Sequence, residues 1–268
     1  MTYQALAIDL DGTLLIGEEL PEANRTAVAA ASAAGLHIII ATARWRQMAE
    51  RVAKSIGINA PIIACSGAQV YMPDSGKDIF DHRVPEELAA QLYEICNSHR
   101  CIVSVTGDEH TLLKLDGERS RFLMHKEVQE VKQLSVDQIR RPRIATVQGS
   151  SVVELIRDTL KDSHQNQINI YDSIGPAGHI VLTITNKQAN KGAALKVVCR
   201  QQSIDPFSVI AFGDAENDIA MFNVAGASVA MGNASDEIKA VATTTTAANT
   251  ENGVALTINR LLETGGLV

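Results

Sequence analysis

Short apolar runs alternate with longer alanine-rich or amphipathic stretches in the first quarter of the chain. The runs are Ala5–Ile8, Leu36–Ala41 and Pro61–Ala64, and their length and content are typical of buried strands. The stretches Glu22–Ala34 and Arg44–Ile56 separate them, and each helix is expected to end at a glycine. Strands and helices that alternate through short connections pair in parallel with right-handed crossovers. The pattern therefore predicts an α/β fold built on a doubly wound, Rossmann-like parallel sheet.

The pattern changes after Gly67, where hairpins become mixed with helices. Gln69–Met72 and Lys77–Phe80 predict a first hairpin on either side of a Pro-Asp-Ser-Gly turn. The elements predicted beyond it are helices at Pro85–Asn97 and Ser151–Leu160, a partly helical region at Glu118–Gln138, and strands at Ile102–Thr106, Thr111–Leu115, Ile144–Gln148, Ile168–Tyr171 and Ile180–Thr185. Such a mixture indicates an α+β unit with an antiparallel sheet. We therefore predict a core domain formed by 1–81 and 187–268, and an inserted α+β domain at 82–186.

Strand and helix alternate again after this insertion. The predicted elements are helices at Gly192–Gln202 and Asn217–Val224, strands at Val209–Phe212 and Ser228–Met231, and either an edge strand or a loop at Thr243–Thr246. These elements would complete the parallel sheet of the core.

Composition and charge limit the kinds of molecule that the protein is expected to bind. The 268 residues carry a formal charge of −7, and Lys and Arg form no cluster, so binding to nucleic acid through phosphates is not expected. No apolar run is long enough to span a bilayer, and no secretory signal is visible. The four cysteines are scattered and suggest neither a disulfide framework nor a zinc site. We expect a cytoplasmic protein that binds a small molecule, without a nucleic-acid or membrane partner; its oligomeric state stays open.

Acidic and small polar residues follow the ends of the core strands. The residues at these ends are Asp9 and Asp11, Thr42 to Arg44, Ser66 and Gly67, and Asp214 to Asp218. Because the carboxyl ends of parallel strands meet at one edge of a sheet, we expect these residues to lie close together. Clustered carboxylates repel one another, and a hard cation with oxygen ligands such as Mg²⁺ relieves the repulsion. The side chains of Asp9 and Asp214 and the backbone carbonyl of Asp11 could supply those oxygens.

Asp9 and Asp11 lie on either side of one residue, just before the bend at Gly12. Two neighbouring acids in unlike surroundings can act as a nucleophile and as a general acid. A phosphoryl group suits such a site, because cations and hydrogen-bond donors must hold its charge. Thr42 offers a hydroxyl, and Lys191 offers a positive charge near a helix start. An Asp-Gly turn or an exposed lysine alone is common, so the interpretation depends on the combination.

The ordered set of motifs resembles the haloacid dehalogenase superfamily over essentially the whole chain. The motifs are Asp9-Leu10-Asp11-Gly12-Thr13, then Thr42, then Lys191, then Gly213-Asp214-x-x-Asn217-Asp218. The insertion resembles the type IIB cap of the Cof-like sugar-phosphatase branch. The resemblance implies a Mg²⁺-dependent phosphatase that hydrolyses small phosphorylated metabolites, with sugar phosphates expected, under a lid formed by the insertion. A phosphomutase or phosphotransferase using the same chemistry, and a metabolite-binding protein without catalysis, are the alternatives.

The resemblance also implies a role for each matched residue. Asp9 would form an aspartyl-phosphate, and Asp11 would protonate the leaving oxygen and then activate water. Phosphate would be bound by Thr42, Ala43, Lys191 and Asn217, the metal by Asp9, Asp11 and Asp214, and both would be supported by Asp218, Arg44, Ser66 and Gly67. Ala43 and Ser66 depart from the family, which usually has Gly and Asn at these two positions.

Overall fold

The computed structural model describes residues 3–117, 121–164, 166–174 and 180–267. The chain divides into two compact units, one formed by Met1–Phe80 with Asn190–Val268 and the other by Asp81–Ala189. Within the described part of the chain, no helix combines the length and the apolar character needed to cross a membrane.

Regular elements run through both units. The strands are β1 (Ala5–Ile8), β2 (His37–Ala41), β3 (Ile62–Ala64), β4 (Gln69–Met72), β5 (Lys77–Asp81), β6 (Ile102–Thr106), β7 (Thr111–Lys114), β8 (Val128–Glu130), β9 (Ile144–Gln148), β10 (Ile168–Ile174), β11 (Ile180–Asn186), β12 (Val209–Gly213), β13 (Ala227–Ala230) and β14 (Thr244–Thr245). The α-helices are α1 (Glu22–Ala33), α2 (Arg46–Ile56), α3 (Glu86–Ser98), α4 (Ser150–His164), α5 (Lys191–Gln202), α6 (Ile219–Phe222), α7 (Asp236–Val241) and α8 (Gly253–Thr264).

An eight-stranded sheet forms the centre of the first unit. Its order is β14-β13-β12-β1-β2-β3-β4-β5. The six strands from β14 to β3 in this order are parallel, and β4 is antiparallel to β3. All four residues of the central strand β1 are fully buried, which explains why its sequence is an unbroken apolar run. The predicted α/β fold class is confirmed.

The second unit contains a six-stranded sheet in the order β10-β11-β9-β6-β7-β8. Neighbouring strands are antiparallel except β7 and β8, which are parallel. Apolar side chains of α3 and α4 pack with side chains of this sheet; examples are Leu88 and Leu92 on α3, and Val152 and Ile156 on α4. The unit therefore has a hydrophobic core of its own.

The prediction of a partly helical region at Glu118–Gln138 is confirmed only for Arg121–Met124, which form a 3₁₀ helix. Residues 118–120 lie outside the described part of the chain, and the rest holds a 3₁₀ turn at Arg121–Met124 and the strand β8. Val128 is buried and pairs with Thr111 of β7. Backbone hydrogen bonds of this polar stretch thus go to a neighbouring strand, which local sequence does not reveal.

Two smaller observations concern the predicted elements after β12, one a difference and one a choice between alternatives. The helix predicted at Asn217–Val224 is a 3₁₀ turn, Glu216–Asp218, followed by the short α6. The Asp218 carboxylate accepts hydrogen bonds from the preceding backbone, which explains the tighter turn. Of the two alternatives left open for Thr243–Thr246, the structure shows an edge strand, because Thr244 and Thr245 pair with β13.

A buried arginine stabilises the start of the second unit. The Arg143 side chain is only 4% exposed. Its Nε and Nη2 donate to the two carboxylate oxygens of Asp81 at 2.9 and 3.0 Å, and its Nη1 donates to the carbonyl oxygen of Gly107 at 2.9 Å. Two parallel hydrogen bonds between a guanidinium and a carboxylate are among the stronger polar contacts in proteins.

Replacing this arginine should destabilise the protein. We expect Arg143→Met to lower the free energy of unfolding by about 2 to 3 kcal/mol, because the Gly107 carbonyl loses its buried donor and Asp81 loses a bidentate partner. Arg140→Met is the matched control, since Arg140 is 66% exposed and pairs with Glu86 only at 3.5 Å. Urea denaturation followed by circular dichroism measures both. Equal losses in the two variants would contradict the prediction.

Candidate active site

Three carboxylates and one ammonium group meet at the carboxyl ends of β1 and β12. Asp9 follows β1, Asp214 and Asp218 follow β12, and Lys191 begins α5. One carboxylate oxygen from each aspartate lies within 4.8 Å of the other two. Lys191 is fully buried, and its Nζ donates to Oδ1 of Asp9 and to Oδ1 of Asp218, both at 2.6 Å. The cluster joins three distant segments of the chain.

The turn after β1 is shaped to fit Asp214. Gly12 has a φ of +77°, which favours glycine, and a Cβ on it would lie 2.3 Å from Oδ2 of Asp214. The hydroxyl of Thr13 donates to Oδ1 of Asp214 at 3.0 Å. The Asp-Gly-Thr sequence is thus explained by the approach of this turn to a carboxylate some two hundred residues away.

Asp218 differs from the other two aspartates because hydrogen bonds of 3.0 Å or less engage both of its oxygens, whereas Oδ2 of Asp214 is approached by its donor only at 3.4 Å. Its Oδ1 accepts from Lys191, and its Oδ2 accepts from the backbone N–H groups of Asp214 and Ala215, each at 3.0 Å. By contrast, Oδ2 of Asp9 has no hydrogen-bond partner among the described residues. Asp9 and Asp214 are therefore the better candidates to hold a cation, and Asp218 orients Lys191 and the loop.

The cluster carries more negative than positive charge, and its pKa values reflect this. Burial raises the pKa of Asp9 well above its usual range; Lys191 opposes that shift, and the nearby carboxylates, led by Asp218, add to it. Burial together with the charge of Asp218 raises the pKa of Asp214 to about 7. Burial alone would lower the pKa of Lys191, but the charges of Asp218 and Asp9 outweigh it and raise that pKa. One ammonium group does not balance three carboxylates, and a divalent cation would.

The loops after β2 and β3 lie beside this cluster in the sheet order and are built around buried polar groups. Thr42 is fully buried, and its hydroxyl accepts the N–H of Arg44 at 3.1 Å, which leaves the hydroxyl hydrogen available to a ligand. Gly67 packs against the start of α5, where a Cβ would lie 2.2 Å from the backbone carbon of Asn190. Ala43 is half-buried.

Ser66 occupies a backbone conformation that favours Asn over Ser. Its φ is +53°, in the left-handed region where Asn is enriched. Its hydroxyl accepts a hydrogen bond from the side-chain amide of Asn217 at 3.3 Å. The serine thus keeps a polar contact to the loop after β12, and the Asn217 side chain is directed toward Ser66.

The Asp11 carboxylate is not part of the acidic cluster. Its side chain is 54% exposed, whereas that of Asp9 is 7% exposed. Arg44 donates from Nε and Nη2 to the two oxygens of Asp11 at 2.8 and 2.6 Å. The structure therefore places the two acids of the first motif in different surroundings.

Sequence reasoning missed Asn233 at this site. Its side-chain amide donates to the carbonyl oxygen of Gly12 at 2.9 Å and approaches Oδ2 of Asp214 at 3.4 Å. Its Oδ1 accepts the N–H of Asn249 at 2.9 Å. Asn233 lies shortly after β13, so the rule that polar residues at strand ends face the site would have found it.

The chain belongs to the family of haloacid dehalogenase-like hydrolases, whose sequence pattern it matches over residues 6–258. It is 30% identical to the 5-amino-6-(5-phospho-D-ribitylamino)uracil phosphatase YwtE of Bacillus subtilis, over 97% of this chain and 98% of that one. It is 28% identical to the pyridoxal phosphate phosphatase YbhA of Escherichia coli, over 95% of this chain and 97% of that one. The chain is therefore an enzyme, a hydrolase of the phosphatase type.

Solved structures share the fold over nearly the whole chain. A haloacid dehalogenase-like hydrolase from Bacteroides thetaiotaomicron superposes with a TM-score of 0.83 at 23% identity, covering 97% of this chain and 99% of that one. The subclass IIB sugar phosphatase BT4131 superposes with a TM-score of 0.78 at 22% identity, covering 98% of this chain and 99% of that one. The predicted resemblance to the haloacid dehalogenase superfamily is confirmed by the family match, and the fold is shared with a subclass IIB sugar phosphatase.

The charge imbalance predicts how stability depends on pH and on metal. In chelator, the melting temperature should fall as the pH rises from 5.5 to 8. The folded-state pKa of Asp214, about 7, lies above its unfolded value, so its stabilising contribution is lost as the pH rises through about 7. Mg²⁺ should restore the melting temperature at pH 8, because the ion binds the folded state. Differential scanning fluorimetry measures both effects.

Two variants separate this effect from general pH sensitivity. Asp214→Asn should reduce the pH dependence in chelator, although Asp9, whose pKa is also raised, remains, and it should remove the response to Mg²⁺. Asp236→Asn changes an acidic residue in the first turn of α7 and should behave like the unmodified protein. If the unmodified protein shows neither the fall with pH nor the response to Mg²⁺, the carboxylate cluster is not a metal site.

Proposed function

We propose that this enzyme is a Mg²⁺-dependent phosphatase that hydrolyses small phosphorylated metabolites through an aspartyl-phosphate on Asp9. The observation that carries the proposal is the contact set around Asp9. Lys191 fixes one carboxylate oxygen, and the other has no hydrogen-bond partner among the described residues. The Asp9 carboxylate also belongs to the cluster that contains Asp214. A nucleophile needs this combination of fixed orientation and an available oxygen.

The residues present fit a magnesium ion. Asp9 and Asp214 would hold it, with the backbone carbonyl of Asp11 as the third predicted protein ligand. Mg²⁺ binds oxygen ligands and keeps several waters, so few protein groups suffice. When bound, the ion would neutralise the negative charge that otherwise repels a phosphate from Asp9.

The protein side chains divide the work as follows. An oxygen of Asp9 attacks the phosphorus atom, and the bond from phosphorus to the ester oxygen breaks. Asp11 gives its proton to that departing oxygen; as a carboxylate it then takes a proton from water, whose oxygen attacks the aspartyl-phosphate and releases phosphate. Lys191 and the Thr42 hydroxyl hold phosphoryl oxygens as charge develops on them. Burial of this cluster increases the strength of each electrostatic contact.

For the substrate we propose only a chemical class, whereas for the reaction we propose individual steps. The names of YwtE and YbhA describe different phosphate esters, one with a ribityl chain and one with a pyridine ring. Phosphorylated sugars and sugar alcohols are the class that we propose for this enzyme, because the resemblance to the sugar-phosphatase branch and the ribityl substrate of YwtE point the same way. We further propose that the unit Asp81–Ala189 is the cap that selects among substrates.

The covalent step is tested at Asp9. Asp9→Asn should reduce kcat below about one thousandth of its value without loss of the fold, because an amide cannot replace the nucleophilic oxygen. Acid-quenched unmodified enzyme should carry a phosphoryl adduct on the peptide that contains Asp9, and the variant should not. Asp236→Asn should retain activity. Phosphate release and peptide mass spectrometry provide the measurements; continued turnover by folded Asp9→Asn would refute the mechanism.

A panel of phosphate esters tests the substrate class. With Mg²⁺ present, we expect kcat/KM for the best sugar or sugar-alcohol phosphate to exceed that for pyridoxal 5′-phosphate by at least about tenfold, a difference that pocket contacts readily supply. Released phosphate is measured for each ester. A preference for pyridoxal 5′-phosphate would contradict the sugar-phosphate assignment, and an isomeric phosphorylated product without phosphate release would indicate a phosphomutase.

A further inference from the structure

The Arg44 side chain donates four hydrogen bonds, all to the segment that follows β1. Two of its nitrogens donate to the two oxygens of Asp11, its Nη1 donates to Glu18 at 3.1 Å, and its Nη2 also donates to the carbonyl oxygen of Gly17 at 2.9 Å. The Arg44 side chain is only 9% exposed, although its partners Asp11 and Glu18 are 54% and 39% exposed. The guanidinium is therefore held from several sides and has a single well-defined position.

These contacts join two segments that are distant in sequence. Gly17 and Glu18 form the tip of a small turn after the first motif, closed by hydrogen bonds between Ile16 and Glu19. Arg44 comes from the loop after β2, where the buried Thr42 hydroxyl accepts its backbone N–H. The position of the guanidinium, and with it that of Asp11, is thus tied to the phosphate-binding loop.

A general acid needs this type of support. An exposed aspartate on a turn can adopt several rotamers, and few of them would place its oxygen beside a leaving group. As the proton leaves Asp11, negative charge develops on the carboxylate. A guanidinium that donates two parallel hydrogen bonds fixes the plane of that carboxylate and stabilises the charge.

We propose that Arg44 is a positioning residue for leaving-group protonation, which holds the Asp11 carboxylate in the orientation that delivers a proton to the departing ester oxygen. This inference rests on the proposed function, since it takes Asp11 as the acid. It assigns to Arg44 a role in bond cleavage at the ester oxygen, separate from binding of the phosphoryl group.

The test compares two esters with leaving groups of different basicity. Phenol leaves as an anion less readily than p-nitrophenol, so loss of acid catalysis affects phenyl phosphate more than p-nitrophenyl phosphate. We expect Arg44→Met to reduce kcat/KM about tenfold more with phenyl phosphate than with p-nitrophenyl phosphate, both measured with Mg²⁺. The value of kcat/KM is chosen because it reports the step in which the leaving group departs.

Three further variants make the result specific. Arg44→Lys keeps the positive charge but cannot make two parallel hydrogen bonds, so it should show the same selective loss to a smaller extent, and it serves if Arg44→Met does not fold. Arg25→Met removes an exposed arginine that pairs with Glu22, and should leave the ratio of the two kcat/KM values unchanged. Arg44→Met added to Asp11→Asn should cause little further change in that ratio, because both act through one group.

Each contrary outcome has a distinct meaning. An equal loss with both esters in folded Arg44 variants would overturn the inference and assign Arg44 to phosphate binding, while leaving the proposed function intact. A change in the ratio that persists in the Asp11→Asn background would also overturn it. Failure of the unmodified enzyme to release phosphate from these two esters and from every ester of the substrate panel, with Mg²⁺ present, would refute the proposed function itself, and the inference with it.

Discussion

The buried ammonium group of Lys191 is the interaction on which the rest of the site depends. Removing a lysine from water is costly, and it is tolerated here because Asp9 and Asp218 each accept a hydrogen bond at 2.6 Å. The first partner lies 182 residues away in sequence and the second 27. Assembly of the site therefore requires the folded sheet, because the strand ends must meet before any of these charges can be buried.

The same interaction leaves an excess of negative charge that a bound cation would neutralise. Lys191 is already shared by two carboxylates, so it cannot also neutralise Asp214. The shape of the loops restrains that aspartate, because Gly12 and Thr13 pack against it and the Asn233 amide approaches its Oδ2. A fold that holds a surplus of negative charge in a fixed place favours a divalent ion there, and an ion so placed favours a phosphate.

Much of this could be predicted from sequence, because the strongest signals are local. The unbroken apolar run before Asp9 and the acidic loop after β12 each indicate a buried strand that ends in polar residues, and parallel pairing then brings the ends together. What local sequence did not reveal depends on distant partners. The orientation of Asp11 toward Arg44 is a choice of side-chain rotamers, and the pairing of Val128 with β7 overrides the polar character of its segment.

The way the proposed functional residues are divided between the two units affects whether reaction type or substrate can be predicted from the sequence. The side chains given chemical roles above, from Asp9 to Asp214, all belong to the unit formed by 1–80 and 190–268. The unit Asp81–Ala189 has its own sheet and its own hydrophobic core, so its sequence can change without disturbing the buried charges. Relatives of about the same similarity, such as YwtE and YbhA, are named for different substrates. Reaction type is thus constrained by charges that the fold cannot rearrange, whereas substrate choice can vary with the second unit if that unit is the cap that we propose.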